Sequence, residues 1–246
     1  MKIRLAIRLL RVFLHLCEGF LVVALLFPWV GSARREAGIR SWSRRLLGIC
    51  GVTLEHEGAA LAHALVVANH VSWLDIFVIN ALHPCRFVAK SEIRDWPLLG
   101  WLATQAGTVF IARGSRRELR HTFKGIVGSL QRGERVAFFP EGTTGAQGAL
   151  LAFHANLFEA AIDAGVMVQP YALQYLGPDG ALHPSVDFVG DMSFADSMLA
   201  ILSGDAVRAR LRCLPAFDAR GAHRRELAAS AAQAVAQALA HPAPAL

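Results

Sequence analysis

Two rhythms of apolar and polar positions run along most of the chain. Compact β-branched or aromatic runs at residues 64–68 (ALVVA), 87–89, 108–112 (TVFIA), 135–139 (RVAFF) and 166–175 read as buried strands. Between them, apolar residues recur at helical spacing over 74–82, 97–105, 115–131 and 154–164. Pro97 suits a first helical turn, and Gly133 and Gly165 stand where helices stop. Residues 177–180 (GPDG) form a turn. Residues 185–189 and 207–214 read as further strands around a helix at 194–202, and the Ala-rich stretch 224–240 closes the chain as a helix. Strands alternating with helices predict an α/β domain with a central, mostly parallel or mixed sheet flanked by helices.

The first 50 residues depart from this pattern. Lys2, Arg4, Arg8 and Arg11 precede an apolar run over 12–30, interrupted by His15 and Glu18. Its unbroken part, 19–30, falls short of the ~20 residues that span a bilayer. Arg34, Arg35, Arg40, Arg44 and Arg45 follow. A cleaved signal peptide with Ala33 at its cut would leave Arg34 and Arg35 hindering export. A single span would strand one basic flank outside the cytoplasm. An interfacial or re-entrant pair of helices, both flanks on the cytoplasmic face, conflicts with neither observation. The expected division is therefore a membrane anchor of helices at 1–50 and an α/β domain at 51–246. The expected location is the inner membrane, with the active site on its cytoplasmic face.

Composition sharpens this picture. With 246 residues, one core suffices. A hydrophobic share of 54% and a mean hydropathy of +0.39 exceed those of a freely soluble enzyme without reaching those of a polytopic membrane protein. The net charge of +6 would suit nucleic acid, anionic lipid or a phosphorylated substrate. No zinc-finger spacing, nucleic-acid signature or basic tail occurs, so an anionic membrane surface is the expected partner and nucleic acid is not. Cys17, Cys50, Cys85 and Cys213 lie far apart, without CxxC or metal-ligand spacing, as free thiols of a reducing compartment.

Three strand ends carry candidate chemistry. At the first, residues 69–75 read NHVSWLD. His70 and Asp75 would be turned about 140° apart on one helix, at about 100° per residue. They meet only if His70 precedes the helix and Asp75 lies in its first turn, with Ser72 as N-cap. A plainer reading makes Ser72 and Asp75 a capping box and His70 a core residue. At the second, residues 107–117 (GTVFIARGSRR) deliver Arg113 to a basic helix start, suited to phosphate or carboxylate, or else simply solvated. At the third, residues 138–145 (FFPEGTTG) put Glu141 after a buried strand and a proline, to orient a ligand hydroxyl or to anchor the loop. Gly142 there permits close backbone approach. Parallel strands would gather these ends into one site with a base, an anion clamp and a polar cradle.

The order NHVSWLD, GTVFIARGSRR, FPEGTT and VQPYALQY resembles the four blocks of the glycerolipid acyltransferases, over residues 64–175. The resemblance implies that His70 takes the proton of the acceptor hydroxyl and that Asp75 orients its imidazole. It makes Arg113 the phosphate ligand, and it has Glu141, Gly142 and the adjoining Thr143 help hold glycerol phosphate. It implies direct O-acyl transfer from acyl-CoA or acyl-carrier protein to a lysolipid, typified by 1-acyl-sn-glycerol-3-phosphate, with no cofactor or metal. Backbone amides near Gly142 are the expected oxyanion donors. Two positions depart from the pattern: Ala112 stands where relatives often carry Asp, and Thr144 where many carry Arg. Lys90, Arg116 or Arg117 would then compensate, or the acceptor is another lysolipid such as lyso-ornithine lipid. A serine hydrolase would need a GxSxG elbow, which is absent. A non-catalytic lipid-binding protein would bind lipid without consuming thioester.

Overall fold

A computed structural model describes residues 2–111 and 116–240. Two helices open the chain, α1 (Lys2–Leu25) and α2 (Ser32–Cys50). Then come β1 (Val52–Glu57), β2 (Leu65–Ala68), α3 (Leu74–Leu82), β3 (Arg86–Lys90), α4 (Leu99–Gln105), β4 (Val109–Ile111), α5 (Arg116–Gln131) and β5 (Val136–Phe138). The chain finishes with α6 (Glu159–Ala164), β6 (Met167–Leu176), α7 (Phe194–Ser203), β7 (Val207–Cys213), β8 (Phe217–Asp218) and α8 (Arg224–Ala240).

The expected α/β architecture is present as one mixed sheet ordered β1-β7-β6-β2-β5-β3-β4, with β8 paired to β6. β6, β2, β5, β3 and β4 run parallel, while β7 is antiparallel to β6 and carries β1 parallel to itself. Side chains alternate across this sheet, as the strand period requires. Val66, Ala68, Tyr171 and Tyr175 face a core completed by Leu46 and Leu47 of α2, Val78 and Ile79 of α3, and Ile201 and Leu202 of α7. Leu65, Val67, Phe138 and Val168 face Ile126 and Leu130 of α5, Ala160 and Ala161 of α6, and Ala228 and Ala231 of α8. With both faces covered, the central strands read as continuous apolar runs.

Three local expectations are corrected, and one strand goes beyond them. Residues 185–189 are no strand: Pro184–Val186 forms a 3₁₀ turn, and Phe188 N–H makes a single bond to the Val71 carbonyl (3.1 Å). Pro97 does not start α4; the helix begins at Leu99, after Leu98 adopts φ 61°. Residues 154–164 split into a 3₁₀ turn, Ala155–Phe158, and the short α6. The Val52–Glu57 stretch, not anticipated as a strand, is the edge strand β1; its Glu55 and Glu57 pair with Arg208, Arg210 and Arg212 of β7.

α1 is fastened to the domain along much of its length. Arg4 and Arg8 donate to the carbonyls of Leu202, Ser203 and Gly204 at the C-terminal end of α7, where cations are favourable. Farther along, His15 stacks on Trp42 of α2 (4.4 Å), each ring bonding the other residue's carbonyl. Gly19 lets the indole approach: a Cβ there would lie 2.6 Å from Trp42 Nε1. Arg4 and Arg8 of the N-terminal basic flank are thus engaged within the protein. The opposite face of α1 exposes Ile3, Ile7, Leu10, Phe13, Leu14, Leu21 and Leu25. The stretch Lys2–Trp29 is long and apolar enough to cross a membrane by length and composition.

Gly58 supplies a test of the sheet edge. Its φ is +78°, and a Cβ would sit 2.1 Å from the Cys213 carbonyl oxygen at the end of β7. Gly58→Ala should lower stability by about 1–3 kcal/mol from the left-handed backbone alone, with the clash adding to it, read as a fall in the urea midpoint.

Candidate active site

Parallel pairing brings the C-terminal ends of β2, β5, β3 and β4 to one edge, in that order. Just beyond β2, residues 69–72 form a loop before α3. His70 lies in that loop and Asp75 is the second residue of the helix, so the 140° separation of a continuous helix does not apply. His70 Nδ1 meets Asp75 Oδ2 at 2.8 Å. The N-cap position of α3 falls on Trp73, one residue after the expected Ser72, and has no side-chain cap bond; the Ser72 hydroxyl still accepts from Leu74 N–H at 3.4 Å.

The Asp75 carboxylate is fully buried and collects four donors. Oδ2 accepts from His70 Nδ1, from Val71 N–H (2.7 Å) and from Ser72 N–H (3.0 Å). Oδ1 accepts from the Tyr175 hydroxyl at 2.7 Å. The plain and the catalytic readings of Asp75 therefore coexist: the carboxylate satisfies backbone amides and orients the imidazole. Donation from Nδ1–H to this acceptor fixes the tautomer that leaves Nε2 with a free lone pair. Burial, followed by the negative charge of Asp75, holds the Tyr175 hydroxyl well above its ordinary range, so it stays a donor. Tyr175 did not stand out in the sequence, because an inward aromatic on a strand looks like core.

The His70 ring is 19% exposed and lies flat on Phe139, with centroids 3.8 Å apart and 6° between planes. Its backbone is held from both sides by the loop after β5. His70 N–H donates to Glu141 Oε1 (2.7 Å), and Gly145 N–H donates to the His70 carbonyl (2.8 Å). The second oxygen of Glu141 accepts from Leu151 N–H at 2.9 Å. Of the two roles open to Glu141 in the sequence, this geometry displays loop anchoring. Burial raises its pKa, opposed by the two amides it accepts from.

The remaining residues are placed as follows. Gly142 turns at φ 70°, and its N–H is committed to the Phe139 carbonyl (3.1 Å), so this amide does not face a substrate as an oxyanion donor. Thr143 is exposed beside it, and the Thr144 hydroxyl donates to the Phe188 carbonyl. Lys90 is exposed at the tip of β3, one strand beyond β5. Arg113, with Ala112, lies outside the described residues. A cavity of about 510 Å³ adjoins His70, Asn69 and Glu141. Its walls are mostly Gly, Ala and Leu from the 145–150 loop, β6, residues 180–182 and the end of α8, with Gln147, Gln174 and Arg210 as polar groups. Among the described residues, no group of three His, Cys, Asp or Glu is placed to hold a metal ion.

Two substitutions separate positioning from packing. Tyr175→Phe keeps the ring but strips one donor from a buried carboxylate, so stability should fall by about 1–3 kcal/mol in urea melts and turnover should drop. Glu141→Gln turns an NH₂ toward one of the two amides. The expected result is a fall in kcat of about 10–100-fold with the acceptor KM nearly constant, since it is the His70 loop that shifts. A role in holding the acceptor would raise KM instead.

Comparison with known proteins bears on the family and the fold. The family model described as Acyltransferase matches residues 52–174. The lyso-ornithine lipid O-acyltransferase of Pseudomonas aeruginosa is 39% identical over 206 residues, covering 83% of this chain and 79% of that protein. The 1-acyl-sn-glycerol-3-phosphate acyltransferase of Neisseria meningitidis is 44% identical over 161 residues, 63% of each chain. This chain therefore spans under two thirds of the Neisseria protein's length. The crystal structure of the 1-acyl-sn-glycerophosphate acyltransferase PlsC from Thermotoga maritima shares the fold, with a TM-score of 0.65 over 95% of this chain and 96% of that one, at 20% identity. An imidazole oriented by a buried carboxylate at a strand tip thus sits inside the matched segment, and the chain belongs to the acyltransferase family.

Proposed function

We propose that this acyltransferase transfers a fatty acyl group from acyl-CoA or acyl-carrier protein to the free hydroxyl of 1-acyl-sn-glycerol-3-phosphate, giving phosphatidic acid. The observation that carries the reading is the 2.8 Å contact between His70 Nδ1 and the buried Asp75, which leaves Nε2 free to act as a base on a residue that lines the adjoining cavity. Nε2 takes the acceptor's proton as its oxygen attacks the thioester carbonyl. The tetrahedral oxyanion collapses, the C–S bond breaks, and the departing thiolate takes the proton back from the imidazolium. One ester forms, one thioester is lost, and His70 is restored. Asp75 balances the transient cation throughout. The cavity beside His70, of a size usual for ligand sites and mostly apolar, suits one of the two hydrocarbon chains. Lys90, at the same sheet edge, and Arg113 are the cations proposed for the acceptor phosphate, and Thr143 is proposed to help hold it.

The site belongs at the cytoplasmic surface of the inner membrane, with α1 and α2 as an interfacial anchor. Support comes from the contacts of α1 with the domain at Arg4, Arg8 and Phe20, and with α2 at His15. A helix crossing the bilayer would carry those partners into hydrocarbon, whereas a helix lying on the leaflet keeps them.

A second acceptor, lyso-ornithine lipid, is favoured by one observation. The place where many relatives carry Arg holds Thr144, whose hydroxyl is spent on the Phe188 carbonyl and adds no charge for a phosphate. The extended similarity to the Pseudomonas protein points the same way. A panel of lysolipid acceptors with one labelled acyl-CoA decides between them by product identity. His70→Ala should cut turnover at least about 100-fold with the preferred acceptor. Unchanged turnover would remove His70 from the mechanism.

A further inference from the structure

The apolar face of α1 continues onto a second element. Phe20 of α1 contacts Trp101 of α4, with ring centroids 4.8 Å apart. Trp101 is 37% exposed, and the same short segment exposes Leu98 (65%) and Trp96 (41%). The chain between the two tryptophans is built on a costly turn. Leu99 N–H donates to the Pro97 carbonyl at 2.6 Å, with Leu98 between them at φ 61° and ψ −49°. This is a three-residue turn in its rare, strained hand. Leu98 is the one non-glycine residue with positive φ among those described.

Neighbouring residues enforce the strain. A Cβ on Gly100 would lie 2.0 Å from the Arg94 carbonyl oxygen and 2.8 Å from that of Ile93, so only glycine lets the segment close onto the Ser91–Asp95 turn. Pro97 fixes the backbone just before Leu98. The outcome is a leucine turned outward between two indoles. In water that arrangement carries strain with no burial to offset it, and such outliers persist where they serve a function. Indoles favour the boundary between headgroups and hydrocarbon, and leucine favours the hydrocarbon itself.

We propose that residues 96–101 form a second membrane-inserting wedge, dipping into the same phospholipid leaflet that receives α1. The inference rests on the membrane reading given above and adds the element that sets the depth of the catalytic edge. Lipid is the occupant because the patch is continuous with the apolar face of α1 through the Phe20–Trp101 contact. From the wedge, ring contacts run from Trp96 to Phe194 (5.9 Å) and from Phe194 to Trp73 (5.1 Å), three residues from His70. These contacts tie the wedge to the segment that carries His70.

The test places a polarity-sensitive fluorophore on Leu98→Cys in a Cys17→Ser background, where the remaining cysteines are buried. A second label at Arg220→Cys, on an exposed turn beside β8, is the control. With phosphatidylethanolamine–phosphatidylglycerol vesicles, the label at 98 should shift to the blue and lose emission when the acyl chains are brominated, while the label at 220 should do neither. Leu98→Glu should lower the vesicle partition coefficient roughly tenfold without changing the thermal melt. If the protein sediments with vesicles while the label at 98 stays as wet as the control, the wedge is wrong and the anchor stands. If the protein does not sediment, the membrane reading fails and the wedge with it. A blue-shifted label before vesicles are added would assign the patch to a second copy of the chain and overturn the proposal.

Discussion

A carboxylate with no access to water must be surrounded by donors, and the catalytic end of this protein is organised around that requirement. Asp75 meets it with two backbone amides, an imidazole and a phenol. The amides of Val71 and Ser72 can both reach one oxygen only if the loop after β2 curls over the first turn of α3. That curl also carries His70 into position. The phenol comes from β6, so the orientation of the base depends on the register between β2 and β6, in which Ala68 pairs with Tyr171. Leaving such a group short of a donor costs more than any single contact contributes, and this keeps the arrangement specific.

The neighbouring strand provides the second restraint. β5 ends in Phe139, Pro140 and Glu141, and its loop grips the N–H and the C=O of His70 alike. A residue held at both backbone ends and at Nδ1 has little freedom left except at Nε2. Pre-organisation of this kind removes motions that would otherwise have to be frozen in the transition state. The same loop forms part of the wall of the adjoining cavity, so the clamp and the chain-sized space are made of one segment.

Much of this could be read from the residues. The apolar runs of the central strands identify themselves because both sheet faces are covered, and the histidine and aspartate stand out as candidates at a strand end, with a capping box as the plainer reading. Other features could not be read, for physical reasons. β1 escaped because its charged positions look like a surface loop until the arginines of β7 appear opposite them. The 185–189 stretch mimics a strand because the buried Val186 gives it apolar character, while its one bond to the loop after β2, from Phe188 N–H to the Val71 carbonyl, makes no ladder. The role of Glu141 depends on where its two oxygens point, and no spacing rule encodes that. Tyr175 was hidden most thoroughly, since its ring belongs to the core while its hydroxyl belongs to the site.

The flat contact between His70 and Phe139 has an electrical consequence. In the proposed reaction the imidazole is a cation for as long as it holds the acceptor's proton. At 3.8 Å that cation lies over the negative face of a phenyl quadrupole, which attracts it while leaving the neutral ring almost untouched. The charge then has two stabilising neighbours, a carboxylate in the plane of the ring and a π-cloud beneath it. An aromatic side chain at the end of an apolar strand thus acts as a selective solvent for the intermediate.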